Sequence, residues 1–461
     1  MAQKVTSKWR LVRLMWNERD IRNRVLISLA LLAIYRLAAH VPAPGVDHAA
    51  LAALTSNSNA GGNFLGFLDL LSGGTISNFS LLSMGVYPYI TAQIIIQLLV
   101  PIFPALEEKL KNSRDSQKVM EKWTYYLAVP MAALSAIGQI NLFNSYAQTP
   151  IVAFGFTSEL LLHSLTILIA MTAGTMFAIW LGELISEYGI RGQGLSLVIF
   201  AGIVSRMPTS LLRILGDEQT RWVMLGFTLV VIALTIIAIV IVQEGSRHVP
   251  VFYPHSQASL KAMQSGRKIG QRAQPPRDLE LRVNMAGMIP LIFASALLQF
   301  PVILASFFSR SDTAWVQTAS SWVQTNLSGS GNSALYWILY FLMVVAFTFF
   351  YTTVLFDQQK YGENLQRIGA KIQGRYTAKA AQDYLKSIQI KITLPGAIFL
   401  GIVAILPFLL QLIYPPAGQS AGLLLVSSSG LLIVVGVVRD TFRNIEAELK
   451  IHGIKESILV K

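Results

Sequence analysis

The chain has 461 residues, 53% of them hydrophobic and only 13% charged, with a mean hydropathy of +0.53. Soluble domains carry roughly 25% charged residues, and here the apolar residues sit in long blocks with weak periodicity, the pattern of a polytopic membrane protein. There is no cysteine, so disulfides and thiolate-held metals are excluded, and the net charge of +13 must be read from where it lies.

Residues 1–24 form a strongly basic arm (Lys4, Lys8, Arg10, Arg13, Arg19, Arg22, Arg24). Its length and the many apolar runs after it do not fit a cleavable signal, and it reads as a cytoplasmic arm before the first span. That span lies near 25–41. Next comes a short apolar segment that includes Phe64, Leu65, Phe67, Leu68 and Leu71, broken at once by Ser72, Gly73 and Gly74. About 20 apolar residues are needed to cross a bilayer, so 64–74 reads as a re-entrant half-helix. Such a segment is tolerated at membrane depth only inside protein or a water-filled cavity. A full span near 78–101 follows, and further spans are expected near 123–145, 159–182, 194–208, 222–243, 283–308, 333–356, 391–414 and 422–438, with a tail over 439–461.

The loops orient these ten spans. Segments on one side carry 32 Lys and Arg, those on the other carry 4, and Arg36 lies inside the first span. By the positive-inside rule both termini are cytoplasmic and the span count is even. Five spans per half (25–208 and 209–438) would give halves of opposite topology, an inverted repeat. The cytoplasmic loops 245–282 and 357–391 carry seven basic residues each. The positive-inside rule explains their charge but not their length. Long loops in compact domains are usually functional, and docking of a large anionic partner, a ribosome through its RNA among them, is the sharper reading.

No catalytic constellation is present: no HExxH, no GxSxG, no GxxxxGK[ST]. Gly189, Gly192 and Gly194 spell GxxGxG between two spans and, without a βαβ context, read as a tight interhelical turn. A solute transporter should hold ionisable groups near mid-membrane. Arg36, His40, Glu159, His163, Glu183 and Glu187 all fall toward span ends, and no carboxylate pair lies at mid-depth. The span interiors offer aliphatics instead. Ile90 and Ile94 share a helix face, as do Leu195 and Ile199, although spacing alone does not distinguish them from ordinary packing residues.

Long ordered stretches then carry a resemblance: FLDLLSGGTIS, MGVYPYITAQIIIQLL, GTMFAIWLGELISEYGI, RVNMAGMIPLIFAS and FFYTTVLFDQQKYGENLQRIGA. Essentially the whole chain resembles the SecY/SEC61-alpha family, the channel subunits of the protein-export translocon. The resemblance implies an all-α fold with ten transmembrane helices in two inverted five-helix halves, a plug at 64–74 hinged at Ser72–Gly74, and a lateral gate between the second and seventh spans. It implies an aliphatic pore ring of Ile90, Ile94, Leu195, Ile199, Ile292 and Ile433. It also implies transport of unfolded chains, and release of signal sequences into lipid, in the bacterial plasma membrane, with no cofactor and no enzymatic step. The partners implied are SecE, SecG, the SecA motor ATPase, the ribosome with its rRNA, signal peptides, nascent chains and membrane lipid. Arg247, Arg267 and Lys268 supply basic character in the first docking loop; in the second, Tyr376 falls where the family's loop arginine lies, with Arg375 beside it.

Overall fold

The computed structural model describes residues 18–47, 49–51, 79–103, 116–146, 150–155, 157–158, 160–216, 221–252, 277–308, 313–327, 334–372, 374, 377–413 and 421–451. The helices are α1 (Arg19–Ala38), α2 (Tyr87–Ile102), α3 (Ser116–Tyr146), α4 (Leu161–Tyr188), α5 (Gly194–Gly216) and α6 (Arg221–Glu244). Strands β1 (Ser246–Val251) and β2 (Arg277–Arg282) precede α7 (Ile289–Phe308), α8 (Ala314–Leu327), α9 (Ala334–Gln359), α10 (Tyr361–Arg367), α11 (Ala378–Ile413) and α12 (Ala421–Ile451).

Each of the ten expected spans falls on a helix: α1 to α7, α9, α11 and α12. Among the described residues, six helical segments are long and apolar enough by themselves to cross a membrane, and two shorter apolar ones lie in α2 and α5. The α6 segment Leu225–Glu244 has a mean hydropathy of 3.1 and is only 17% buried within the protein, so it calls for apolar surroundings outside this chain.

The boundaries differ from the sequence reading in several places, and three of the differences have a local reason. Span two begins at Tyr87, not 78, because residues 79–86 make tight turns and Pro88 sets the helical φ in the first turn. Span seven begins at Ile289, not 283. Gly287 takes φ +64, and Asn284 Nδ2 donates to the Gly287 carbonyl at 3.0 Å, a turn that a helix cannot absorb. Span nine starts at Ala378, thirteen residues before its expected apolar start, capped by Thr377 Oγ1, which accepts from Ala380 N at 3.3 Å. Span ten continues as helix to Ile451, so the first part of the tail is helical. The expected plug and hinge, Phe64 to Gly74, lie outside the described residues.

Packing divides the chain into two compact units. The first comprises 1–232, 295–338 and 407–461. One core cluster in this unit gathers the entry to α2 (Phe79), α3 (Ile140, Phe143), α4 (Met171) and α7 (Val302), with Val323 and Leu327 of α8 packed against it. The second unit comprises 233–294 and 339–406. Its basic-loop end departs from an all-helical fold: β1 and β2 pair antiparallel, Ser246 opposite Arg282 and Val251 opposite Arg277. The alternation that makes this hairpin is visible in SRHVPV, where Val249 and Val251 are buried and His248 and Pro250 are not. Phe252 and Lys371 exchange two backbone hydrogen bonds of 2.9 Å, and these join the two long basic loops. Val249, Val251, Leu281, Phe356, Leu365 and Leu385 fill the core beneath them.

Candidate functional site

The residues expected to gate a channel are set by how α2 is anchored. Just before it, Phe79 is fully buried with φ +41, a left-handed conformation that a non-glycine residue holds only when its surroundings impose it. Those surroundings are explicit. Its carbonyl accepts from Ala43 N at 3.0 Å, Leu81 N donates to the Val41 carbonyl at 3.0 Å, and its ring packs edge-on to Phe143 at 5.2 Å. A Cβ at Gly174 in α4 would stand 2.1 Å from the Leu81 carbonyl oxygen, so only glycine admits this approach. The start of α2 is therefore bolted to the end of α1, to α3 and to α4.

From that anchor α2 packs along α3, and its first residue reaches α7. Tyr87 Oη donates to the carbonyl of Ala296 at 3.0 Å. One helix over, Gly138 of α3 meets Ile303 of α7 so closely that a Cβ there would lie 2.2 Å from Ile303 Cγ2. Ser306 Oγ also reaches the Gly138 carbonyl at 3.4 Å. Residues 295–308 of α7 thus touch α2 at Tyr87 and α3 at Gly138, a seam within the first unit.

Ile90 and Ile94 project from α2 one turn apart, Ile94 buried and Ile90 half-buried. Leu195 and Ile199 are both half-buried on the first turns of α5. A Cβ at Gly182 would meet Leu195 Cδ2 at 2.8 Å, so Leu195 is seated against α4. Ile433 on α12 is buried in the same unit. Ile292 belongs to the second unit and is buried beside Phe293, whose ring lies edge-on to Phe347 and Tyr351.

The turn between α4 and α5 is built on glycines, as the sequence implied. A Cβ at Gly194 would fall 1.6 Å from the Gly182 carbonyl oxygen, and one at Gly189 2.2 Å from Ser28 Oγ. Ser28, almost fully buried in α1, accepts from Ile190 N at 3.0 Å and donates to the Arg24 carbonyl at 2.9 Å. Sequence reading passed over Ser28 as one hydroxyl in an apolar span. Glu448 at the far end of α12 lies 3.8 Å from Arg24 and 3.5 Å from Arg191, and Asn444 Nδ2 donates to the Arg191 carbonyl at 3.0 Å. The segment that launches Ile199 is thus fastened to α1, α4 and α12.

Three of the ionisable residues weighed for a transporter, His40, His163 and Glu183, are engaged locally. His40 Nδ1 lies 2.7 Å from the Arg36 carbonyl, the His163 ring covers Gly45, and Tyr125 donates its hydroxyl to Glu183. Glu159 lies outside the described residues. On the docking side, Arg247 is exposed on β1, while Arg267, Lys268, Arg375 and Tyr376 lie outside the described residues.

The SecY family model matches residues 80–442. Protein translocase subunit SecY of Streptomyces scabiei is 31% identical over 438 residues, covering 94% of this chain and 95% of the relative. The subunit of the same name from Corynebacterium glutamicum is 32% identical over 439 residues, covering 94% and 96%. Two solved structures superpose with a TM-score of 0.60 over 95% of both chains at 16% identity, which speaks to the fold. One is described as a protein conducting channel; the other concerns a SecY plug domain that stabilises the closed state of its channel and maintains a membrane seal. The chain belongs to the SecY family.

Proposed function

We propose that this chain is the channel-forming subunit of a protein translocase, passing unfolded secretory polypeptides across a membrane and releasing apolar helices sideways into lipid. The observation that carries the proposal is membership of the SecY family along nearly the whole chain, joined to span interiors that present aliphatic side chains rather than ion-binding groups. A channel for unfolded chains must admit every side chain yet block ions when idle. A ring of charges would select among substrates and stay wet, whereas an aliphatic constriction gates by dewetting and has no preferred side chain to trap.

In this reading Ile90, Ile94, Ile199, Ile292 and Ile433 form the constriction, with Leu195 at its α4 edge. The seam of α2 with α7 is the lateral gate, and Phe64 to Gly74 is the plug. Signal-sequence binding shifts an existing closed–open equilibrium. The sequence has no phosphate loop to hydrolyse ATP, so the drive comes from the SecA motor or a translating ribosome docked on loops 245–282 and 357–391. SecE and SecG complete the complex. Both termini face the cytoplasm of a bacterial plasma membrane, as the charge asymmetry supports.

The natural absence of cysteine makes the test clean. One cysteine replaces Ile90, another is placed in a stalled secretory substrate, and the pair is oxidised. A disulfide forming only while the substrate is in transit is the expected result; none forming at any stalled length overturns the pore assignment. Deletion of Leu65–Ser72 should raise idle conductance in planar bilayers while the protein still inserts, and unchanged conductance counts against a sealing plug.

A further inference from the structure

Helix α8 is not long enough to cross a membrane, yet it hangs between two helices that are, α7 and α9. Its sequence, AWVQTASSWVQTNL, repeats WVQT after seven residues and holds no charged side chain. Seven residues are close to two helical turns, so the repeat superposes like on like. Three stripes result. Val316, Ser320, Val323 and Leu327 form one, and it faces the protein: Ser320 Oγ donates to the Ala305 carbonyl of α7 at 2.6 Å, while Val323 and Leu327 pack on the core. Thr318, Ser321 and Thr325 form a second, polar and exposed. Trp315 and Trp322 head the third, and they are 73% and 54% exposed.

Two exposed indoles at this spacing are costly in water. What covers them follows from their neighbours. On α7, Leu297, Phe300, Leu304 and Phe308 are all exposed along one face, the stripe of a helix against lipid, and it ends six residues before α8 begins. Leu335 and Ile338 continue such a stripe on the first turns of α9. The Trp stripe therefore sits between two lipid-facing stripes, at the end of α7 opposite the basic loops. Indole, with an apolar body and one N–H, is the side chain that concentrates at the headgroup level.

We propose that α8 is an interfacial anchor: it lies along the membrane surface with Trp315 and Trp322 seated among lipid headgroups, and so fixes the height of the end of α7 that forms the seam with α2 and α3. The proposal rests on the membrane reading but not on the pore or the motor, so it stands or falls separately from transport.

The test uses the full chain, with any subunits that accompany it, in lipid vesicles. Single cysteines replace Trp315, Trp322 or Ser321 in turn, each carrying an environment-sensitive fluorophore. At 315 and 322 the expected result is blue-shifted emission, quenching by nitroxide lipids stronger for a label near the headgroup than near the acyl end, and loss of quenching by iodide present on both sides. At 321 iodide should quench and the nitroxide lipids should not. Iodide quenching at both Trp positions would show a water-facing stripe, and quenching by neither agent would show a protein covering it; either overturns the anchor. Two separate Trp positions guard against one label disturbing the helix, and the contrast between iodide access at 321 and its loss at 322, one residue away, reports that α8 is still helical on the surface.

Discussion

The hydroxyl of Tyr87, at the first residue of α2, donates to the main-chain carbonyl of Ala296 in α7 at 3.0 Å. This bond crosses the seam proposed to open sideways, and it is made by a side chain that phenylalanine can replace without change of shape. A net contribution of about 1 kcal/mol is typical of such a bond, which converts to about fivefold in a closed–open equilibrium. Tyr87→Phe should therefore raise idle conductance and ease export of a substrate with a weakened signal sequence, while expression stays normal. Wild-type conductance and wild-type signal stringency together would mean that this bond does not hold the seam shut.

The second holding point is steric. Gly138→Ala would set a methyl group 2.2 Å from Ile303 Cγ2, and a β-branched side chain has little freedom to turn away. The substitution gains up to about 1 kcal/mol of helix propensity, but overpacking of about 1–3 kcal/mol outweighs it. Gly138→Ala should lower the melting temperature in detergent. Ile303→Ala, which leaves a cavity, should lower it too, and the double variant should melt higher than the two losses added together predict, because the new methyl occupies vacated space. Strict additivity would remove the contact from the account.

How much of this was legible beforehand depended on range in the chain. Apolar length located the ten helices on which the expected spans fall, because it is a property of contiguous sequence. The turn at Gly189, Gly192 and Gly194 was legible for the same reason. The boundaries at Tyr87 and Ala378 were less so, since hydropathy reports where lipid contact begins, not where backbone hydrogen bonding does. The seam was invisible: nothing near Tyr87 names Ala296, 209 residues away, and a glycine in a span says only that something comes close. The hairpin β1–β2 left an alternating pattern too short to outweigh the helical character around it, and its partner Lys371 lies in a different loop. Leu195 shows the limit from the other side, since its spacing to Ile199 was right while its seat against Gly182 could only be seen in three dimensions.

Ser28 and Glu448 fasten the turn between α4 and α5 by different means, and the difference ranks them. Ser28 is buried, and its loss leaves the amide of Ile190 without an acceptor away from water, at about 1–3 kcal/mol. Glu448 bridges Arg24 and Arg191 at 3.8 and 3.5 Å, and the Arg191 side chain is mostly exposed, so solvent screening holds the pair to about 0–1 kcal/mol. Ser28→Ala should thus lower the melting temperature more than Glu448→Gln. The smaller effect should fade as salt is raised and the larger should not. The reverse order would mean that the ion pairs, not the buried hydroxyl, hold the start of α5.

Arg247 and Leu281 face each other across one rung of the β1–β2 hairpin, yet one is exposed and the other fully buried. That contrast separates two ways in which the proposed docking platform can fail. Leu281→Ala empties a site in the core that joins both loops, at about 2–5 kcal/mol, and should expose the loops to protease and weaken motor binding at every salt concentration. Arg247→Glu leaves that core intact. It should weaken binding to the motor only through charge, and the defect should shrink as salt screens the remaining field. Protease sensitivity in the absence of the motor then distinguishes the two variants. If Arg247→Glu binds the motor as wild type does at low salt, β1 is not part of the docking surface; if Leu281→Ala keeps its loops protected, the hairpin is not what unites them.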